Sequence, residues 1–229
     1  PLYLPPPPFP PRRAWWALAV LAAEDFGELL ERVKHGLARE LSYRRWVLQN
    51  RNKVKMNDLA IGHIIGQGTF GRVKIAEHER TGQSFALKCL KKTQLLKAQQ
   101  VEHIASECHL LSTCNHPFVL RMVAAYQDTS QLYMVLEIVL GGELFMLLQS
   151  KKKLKSDQAR FYTACVVSAI GYLNLMNIMY RDLKPENLLI DAKGYVKVID
   201  LGFAKIVDHR SYTFCGTPDY MAPEVVRCE

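Results

Sequence analysis

No apolar run in this 229-residue chain approaches the roughly 20 residues that a membrane-spanning helix needs. The longest, Ala14 to Ala23, stops about halfway, so no span is expected. It follows Arg12 and Arg13 as the core of a signal peptide would, but the chain starts at Pro1 without an initiator methionine. No targeting role is expected of it, and Pro1 is not read as a natural terminus. The six cysteines (Cys89, Cys108, Cys114, Cys165, Cys215, Cys228) contain no CxxC pair and no metal-ligand spacing. Their dispersal through apolar segments points to a reducing compartment, with the cytoplasm as the expected location. The basic clusters Arg44 to Lys55 and Lys151 to Lys155 lack a series of aromatic stacking platforms. The net charge of +8 is therefore read as a solvated basic face, and no nucleic-acid partner is expected. No internal repeat is present.

With 49% hydrophobic and 23% charged residues, the chain can bury the core of one or two domains. Residues 1–13 hold seven prolines and read as an extended linker. Residues 14–56 form an amphipathic segment of one or two helices, with Phe26, Leu29, Leu30, Val33, Leu37 and Leu41 at helical intervals. Strand patterns follow at Leu59 to Gly66, Arg72 to Glu77 and Ser84 to Leu90. A helix carrying Val101, Ile104, Ala105, Cys108 and Leu111 on one face precedes strands at Val119 to Tyr126 and Gln131 to Ile138. The expected α+β fold is thus a five-stranded antiparallel lobe with one main helix, then a mostly helical second lobe. That second lobe begins with helices at Gly142 to Gln149 and Ser156 to Leu175, and the short strands Leu188 to Ile190 and Val196 to Ile199 flank a turn.

Chemistry-bearing residues concentrate in three places. Gly66, Gly68 and Gly71 lie between two strands, where glycine permits close backbone approach to a triphosphate. Taken alone, the pattern is as consistent with a β-turn. A dinucleotide fold would open a helix here, whereas the strand Val73-Lys-Ile-Ala follows. Lys88 sits among apolar neighbours on the third strand, and a lysine there needs a carboxylate partner. Glu107 is the first choice; Glu102, five residues away, points about 140° around the helix. The third set is Arg181-Asp182-Leu183-Lys184-Pro185-Glu186-Asn187 followed by Asp200-Leu201-Gly202. Phosphoryl transfer to a hydroxyl needs a carboxylate to orient the nucleophile, oxygen ligands for Mg2+ and a cation to offset developing charge. Asp182, Asn187 with Asp200, and Lys184 supply these in turn.

With Ala222-Pro223-Glu224, these segments resemble the signature set of the eukaryotic protein kinases, over about residues 57–229. Lys184 and Gly216-Thr217-Pro218-Asp219-Tyr220 resemble the serine/threonine kinases. Tyr180, Gly141-Gly142-Glu143-Leu144 and Thr213-Phe214-Cys215-Gly216 resemble the cyclic-GMP- and cyclic-AMP-dependent members of the AGC group. The resemblance implies a bilobal kinase fold using ATP and Mg2+, protein substrates with Ser or Thr near basic residues, and cyclic-nucleotide regulation. Adenine would lie between Val73 and Ala86 above and Leu189 below, with Leu136 as gatekeeper and Glu137 and Val139 offering backbone hydrogen bonds. Ile65 joins the glycines in the implied ATP site. Glu143 would reach the ribose and, with Glu186, favour basic residues in the target; solvated glutamates are the plain alternative. Thr213 matches an activation-loop phosphosite, with Arg181, Lys205 and His103 as partners for its phosphate. Cys215 is expected to be a quiet thiol. The stretch Leu21 to Tyr43 faintly resembles the closing helix of a cyclic-nucleotide-binding domain; a generic packing helix is the equal alternative.

Two departures stand out. Leu201 replaces the usual phenylalanine, which predicts a retuned active/inactive balance with the metal carboxylate kept. The chain ends five residues after Glu224, before the helices that would complete the second lobe. Exposed apolar surface, weak ATP binding and poor turnover are expected of the polypeptide as given. The alternative is a truncated or pseudokinase-like nucleotide-binding or interaction fragment without turnover, which the presence of Lys88, Asp182 and Asp200 disfavours.

Overall fold

The computed structural model describes residues 54–207, 211 and 213–227. The linker at residues 1–13 and most of the amphipathic segment at 14–56 lie outside the described residues.

Five strands form one antiparallel sheet in the order β1-β2-β3-β5-β4: β1 (Leu59–Gly68), β2 (Gly71–His78), β3 (Ser84–Lys91), β4 (Met122–Gln127) and β5 (Gln131–Glu137). Period-2 alternation decides the faces of β3. Phe85, Leu87 and Cys89 are buried and join Val54, Leu59, Ala76, Val123 and Val135 in one core cluster. Ala86 and Lys88 therefore point to the other face. Cross-strand pairing puts Val73 opposite Lys88 and Leu136 opposite Ala86, so these side chains share that face.

Between β3 and β4 run a short helix α1 (Lys92–Lys97) and the longer α2 (Val101–Thr113). On α2, Ile104, Glu107, Leu110 and Leu111 are buried, a single helical stripe. Glu107 thus rides on the packed side of the helix, among apolar residues.

The second lobe starts with α3 (Leu144–Lys151) and α4 (Ser156–Leu175). Cys165, Ala169 and Leu173, four residues apart, form the buried stripe of α4. This helix packs on the short strands β6 (Ile178–Met179) and β8 (Val196–Val198). β8 pairs with β7 (Leu188–Ile190), and β6 pairs with β9 (Lys205–Ile206). A four-residue helix α5 (Pro223–Val226) follows. Among the described residues no helix is long and apolar enough to cross a membrane.

One strand begins later than its sequence suggests. β4 starts at Met122 rather than Val119, because residues 117–121 bond elsewhere: Leu120 N donates to Val198 O at 2.8 Å and Val198 N to Phe118 O at 2.8 Å. The apolar residues Phe118 to Leu120 are buried against β8 instead of extending the sheet.

Candidate active site

The glycine-rich turn joins β1 and β2 tightly, with Gly68 opposite Gly71. A Cβ on Gly71 would sit 1.9 Å from Cys89 O, so any side chain there forces the backbone of β2 and β3 to shift. Around Gly68 nothing lies within 4 Å of a Cβ, and at Gly66 the nearest atom is Val73 Cβ at 3.6 Å. Gly71 serves strand packing, a Cβ at Gly66 would make ordinary contact with Val73, and Gly68 opens onto free space. Ile65 and Val73 flank this space from β1 and β2.

Below the turn, Lys88 Nζ donates to Glu107 Oε1 at 2.7 Å and Oε2 at 3.0 Å. The Glu107 side chain is nearly wholly buried and that of Lys88 partly exposed, so the ammonium faces the cleft while its partner is enclosed. The structure therefore brings together the first-choice pair. Glu102 lies exposed in the first turn of α2. Leu136 is buried at the end of β5, and Val139 is half-buried just beyond it.

The catalytic loop converges on Asp182. Thr217 Oγ1 donates to Asp182 Oδ1 at 2.7 Å, and Lys184 Nζ lies 2.9 Å from Oδ2. Asn187 Nδ2 donates to Oδ2 at 2.8 Å and to Asp182 O at 2.9 Å. Lys184 also donates to Thr217 Oγ1 at 2.8 Å, which closes a triangle. Burial pushes the Asp182 carboxyl up, but the hydrogen bonds from Lys184, Thr217 and Asn187 together with the Lys184 charge outweigh it. The group lies below its ordinary value. A carboxylate so held is ionised at neutral pH, with an acceptor to align a hydroxyl and a neighbouring ammonium to offset phosphoryl charge.

Tyr180 supports this loop from beneath. Its hydroxyl donates to Ile199 O at 2.6 Å, fixing the residue before Asp200. Burial, followed by the charges of Asp200 and Asp182, pushes the phenol far up, so it stays a neutral donor. Asp200 itself is exposed, with φ at +57°, and its Oδ1 accepts from Gly202 N at 3.0 Å. Leu201 next to it is fully buried.

Among the described residues no cluster of three or more His, Cys, Asp or Glu side chains gathers as a metal site. The Asn187 amide and Asp200 carboxylate fit a different arrangement, in which a hard divalent cation takes one or two protein oxygens and completes its shell from phosphate and water. When bound, such a cation would neutralise charge on the phosphates.

Leu189 pairs as an isolated bridge with Glu143, so the floor of the cleft and the exposed Glu143, which precedes α3, are adjacent. Glu186 is half-buried, and its Oε2 has no partner. Thr213 is exposed. Of its three expected partners, His103 Nδ1 bonds Gln100 Oε1 at 2.8 Å and Lys205 is exposed on β9. Arg181 Nη1 meets Ser211 Oγ at 3.1 Å, two residues short of Thr213. Cys215 is half-buried with a free thiol.

Residues 59–229 match the protein kinase domain. The chain belongs to the protein kinase family. It is 43% identical to cAMP-dependent protein kinase type 3 of Saccharomyces cerevisiae over 87% of this chain and 50% of that protein. It is 46% identical to the cAMP-dependent protein kinase catalytic subunit of Dictyostelium discoideum over 72% of this chain and 25% of that protein. To the cGMP-dependent protein kinase of Toxoplasma gondii it is 45% identical over 76% of this chain and 18% of that protein. The chain thus spans half or less of the length of these relatives. Within this kinase domain, sequence reasoning did not single out Thr217 as a partner of Asp182 and passed over Lys197 altogether. The only local sign of Thr217 was its place in the Gly216-Thr217-Pro218 turn; the contact spans 35 residues.

Proposed function

We propose that this chain carries the catalytic machinery of a serine/threonine protein kinase that transfers the γ-phosphoryl group of ATP, with Mg2+, to protein hydroxyls. The observation that supports it most is the Asp182–Lys184–Thr217 triangle, set beside Asn187 and below the Lys88–Glu107 pair. In this reading Lys88 holds the α- and β-phosphates. Ile65, Val73, Ala86, Leu136 and Leu189 enclose the base, and Glu137 and Val139 meet it through their backbone. Asn187 and Asp200 hold Mg2+. Asp182 accepts the hydroxyl hydrogen bond, the new P–O bond forms as the bond to the β-phosphate oxygen breaks, and the proton leaves through the carboxylate.

A preference for basic residues near the target rests on Glu186 and Glu143. Glu143 is exposed and offers its carboxylate to a guanidinium or ammonium, while Glu186 adds negative charge with one carboxylate oxygen buried and without a partner. Phosphorylation of Thr213 and cyclic-nucleotide control belong to the same reading; the latter rests on the relatives named for cAMP and cGMP. A cytoplasmic setting agrees with the free thiols of Cys89, Cys108, Cys165 and Cys215.

The test is transfer of labelled phosphate from ATP to a serine peptide with upstream arginines, beside acidic-serine and tyrosine peptides. Incorporation confined to the basic serine peptide, and abolished by Asp182→Asn, is expected. Incorporation that survives Asp182→Asn would overturn the assignment. Addition of cAMP or cGMP in the same assay tests regulation.

A further inference from the structure

Lys197 lies on β8, in the pattern Val196-Lys197-Val198, where alternation leads one to expect it to face solvent. Its side chain is instead 4% exposed, and its partner Glu137 is 5% exposed. Lys197 Nζ donates to Glu137 Oε2 at 3.1 Å, to Oε1 at 3.2 Å and to Pro117 O at 2.7 Å. Glu137 Oε1 also accepts from Arg121 N at 3.0 Å, while Glu137 N donates to Arg121 O at 3.0 Å. One buried ion pair therefore ties together the last residue of β5, the Pro117–Arg121 segment and β8.

Stability alone does not account for it. A buried ion pair gives back in Coulomb energy roughly what its desolvation costs, and well-packed apolar residues would serve as well. Its placement is informative. In the proposed reading Glu137 opens the hinge segment that meets the base through its backbone, and Lys197 precedes Asp200 by three positions. Ile199, which follows the end of β8, donates its N–H to Asn187 O at 2.9 Å, so the segment leading from Lys197 to Asp200 is bonded to Asn187 as well.

We propose that the Glu137–Lys197 pair is a positioning device that sets the span between the base-binding hinge and the metal-binding residues Asn187 and Asp200. The proposal rests on the reading of the cleft as an ATP·Mg2+ site. Adenosine engages only the hinge end of that span, whereas ATP·Mg2+ must satisfy both ends. The pair is therefore felt by the second ligand and not the first.

Calorimetric titration of the full chain with adenosine and with ATP·Mg2+, alongside urea unfolding, tests this. The variant is Glu137→Gln/Lys197→Gln, a neutral pair that keeps an acceptor for Arg121 N and an amide donor on the side of Pro117 O; the base contact of residue 137 runs through its backbone, which the substitution leaves in place. Expected are a wild-type unfolding midpoint, adenosine affinity within about twofold and ATP·Mg2+ affinity weakened about tenfold, as for other groups that orient metal ligands. Wild-type ATP·Mg2+ affinity in the folded variant would overturn the proposal, and so would equal losses for both ligands. If the paired variant does not fold, Lys197→Arg is compared with Lys197→Gln. The arginine, which keeps the charge, should hold the ATP·Mg2+ to adenosine affinity ratio and the glutamine should lose it; equal ratios would overturn the proposal. Failure of the functional reading shows differently, as no ATP·Mg2+ binding by the unsubstituted chain, and it would take the proposal with it.

Discussion

Thr217 Oγ1 donates to Asp182 Oδ1 at 2.7 Å, joining the activation segment to the catalytic loop across 35 residues of sequence. The same oxygen accepts from Lys184, so one hydroxyl fixes both the carboxylate and the ammonium. Thr217→Val keeps the shape and removes the hydroxyl. A hydrogen bond to a charged group contributes about 1.5–3 kcal/mol, so phosphate transfer should fall about 10–100-fold. ATP affinity should hardly change, and Thr217→Ser should recover most of the rate. A loss confined to the ATP KM would show that the triangle has another role.

Lys88→Met strands the Glu107 carboxylate in the interior. Because Lys88 is itself partly exposed, the cost should be about 1–3 kcal/mol, less than for a fully enclosed pair. Chemical unfolding measures it, and ATP binding should be lost in the same variant. Glu102→Gln is the control, and its exposed position predicts no change in either quantity.

The glycines of the β1–β2 turn should separate by assay. Gly71→Ala drives a methyl into Cys89 O and should lower the melting temperature by several degrees. Gly68→Ala meets nothing and should melt as wild type while weakening ATP binding. Equal melting temperatures for the two would contradict the steric account of Gly71.

Asp182 gives a pH signature. Its carboxyl is held below the ordinary value of about 3.9 in the folded chain. The stability it adds is present above that ordinary value and fades as pH falls through the lower folded value. Wild type should therefore lose more stability than Asp182→Asn as pH falls below about 4. An acid limb of activity above about pH 5 would come from another group.

Much of this was legible in the sequence because its signals are local. The alternation in β3 puts Lys88 on the cleft face, and helical spacing on α2 separates Glu107 from Glu102. Gly71 stood out as glycine, though nothing in the sequence distinguishes its steric role from the openness around Gly68. Helix α1 escaped notice because six residues with one buried side chain, Leu95, carry no periodicity. The two-residue strands β6 and β9 are equally silent. Thr217 and Lys197 were missed for a deeper reason. Each meets its partner across 35 or 60 residues, and no spacing rule reaches that far.

Arg181 adopts a φ of +68°, and its carbonyl oxygen lies where a Cβ on Gly216 would come within 2.6 Å. Gly216 has a φ of +117°, so two left-handed positions from separate loops fit face to face. A side chain at 216 would press on the Arg181 carbonyl and so disturb the adjoining Thr217 and Asp182, which bond each other. A Gly216 substitution would therefore look like a chemical lesion in an enzyme whose reactive groups are all intact.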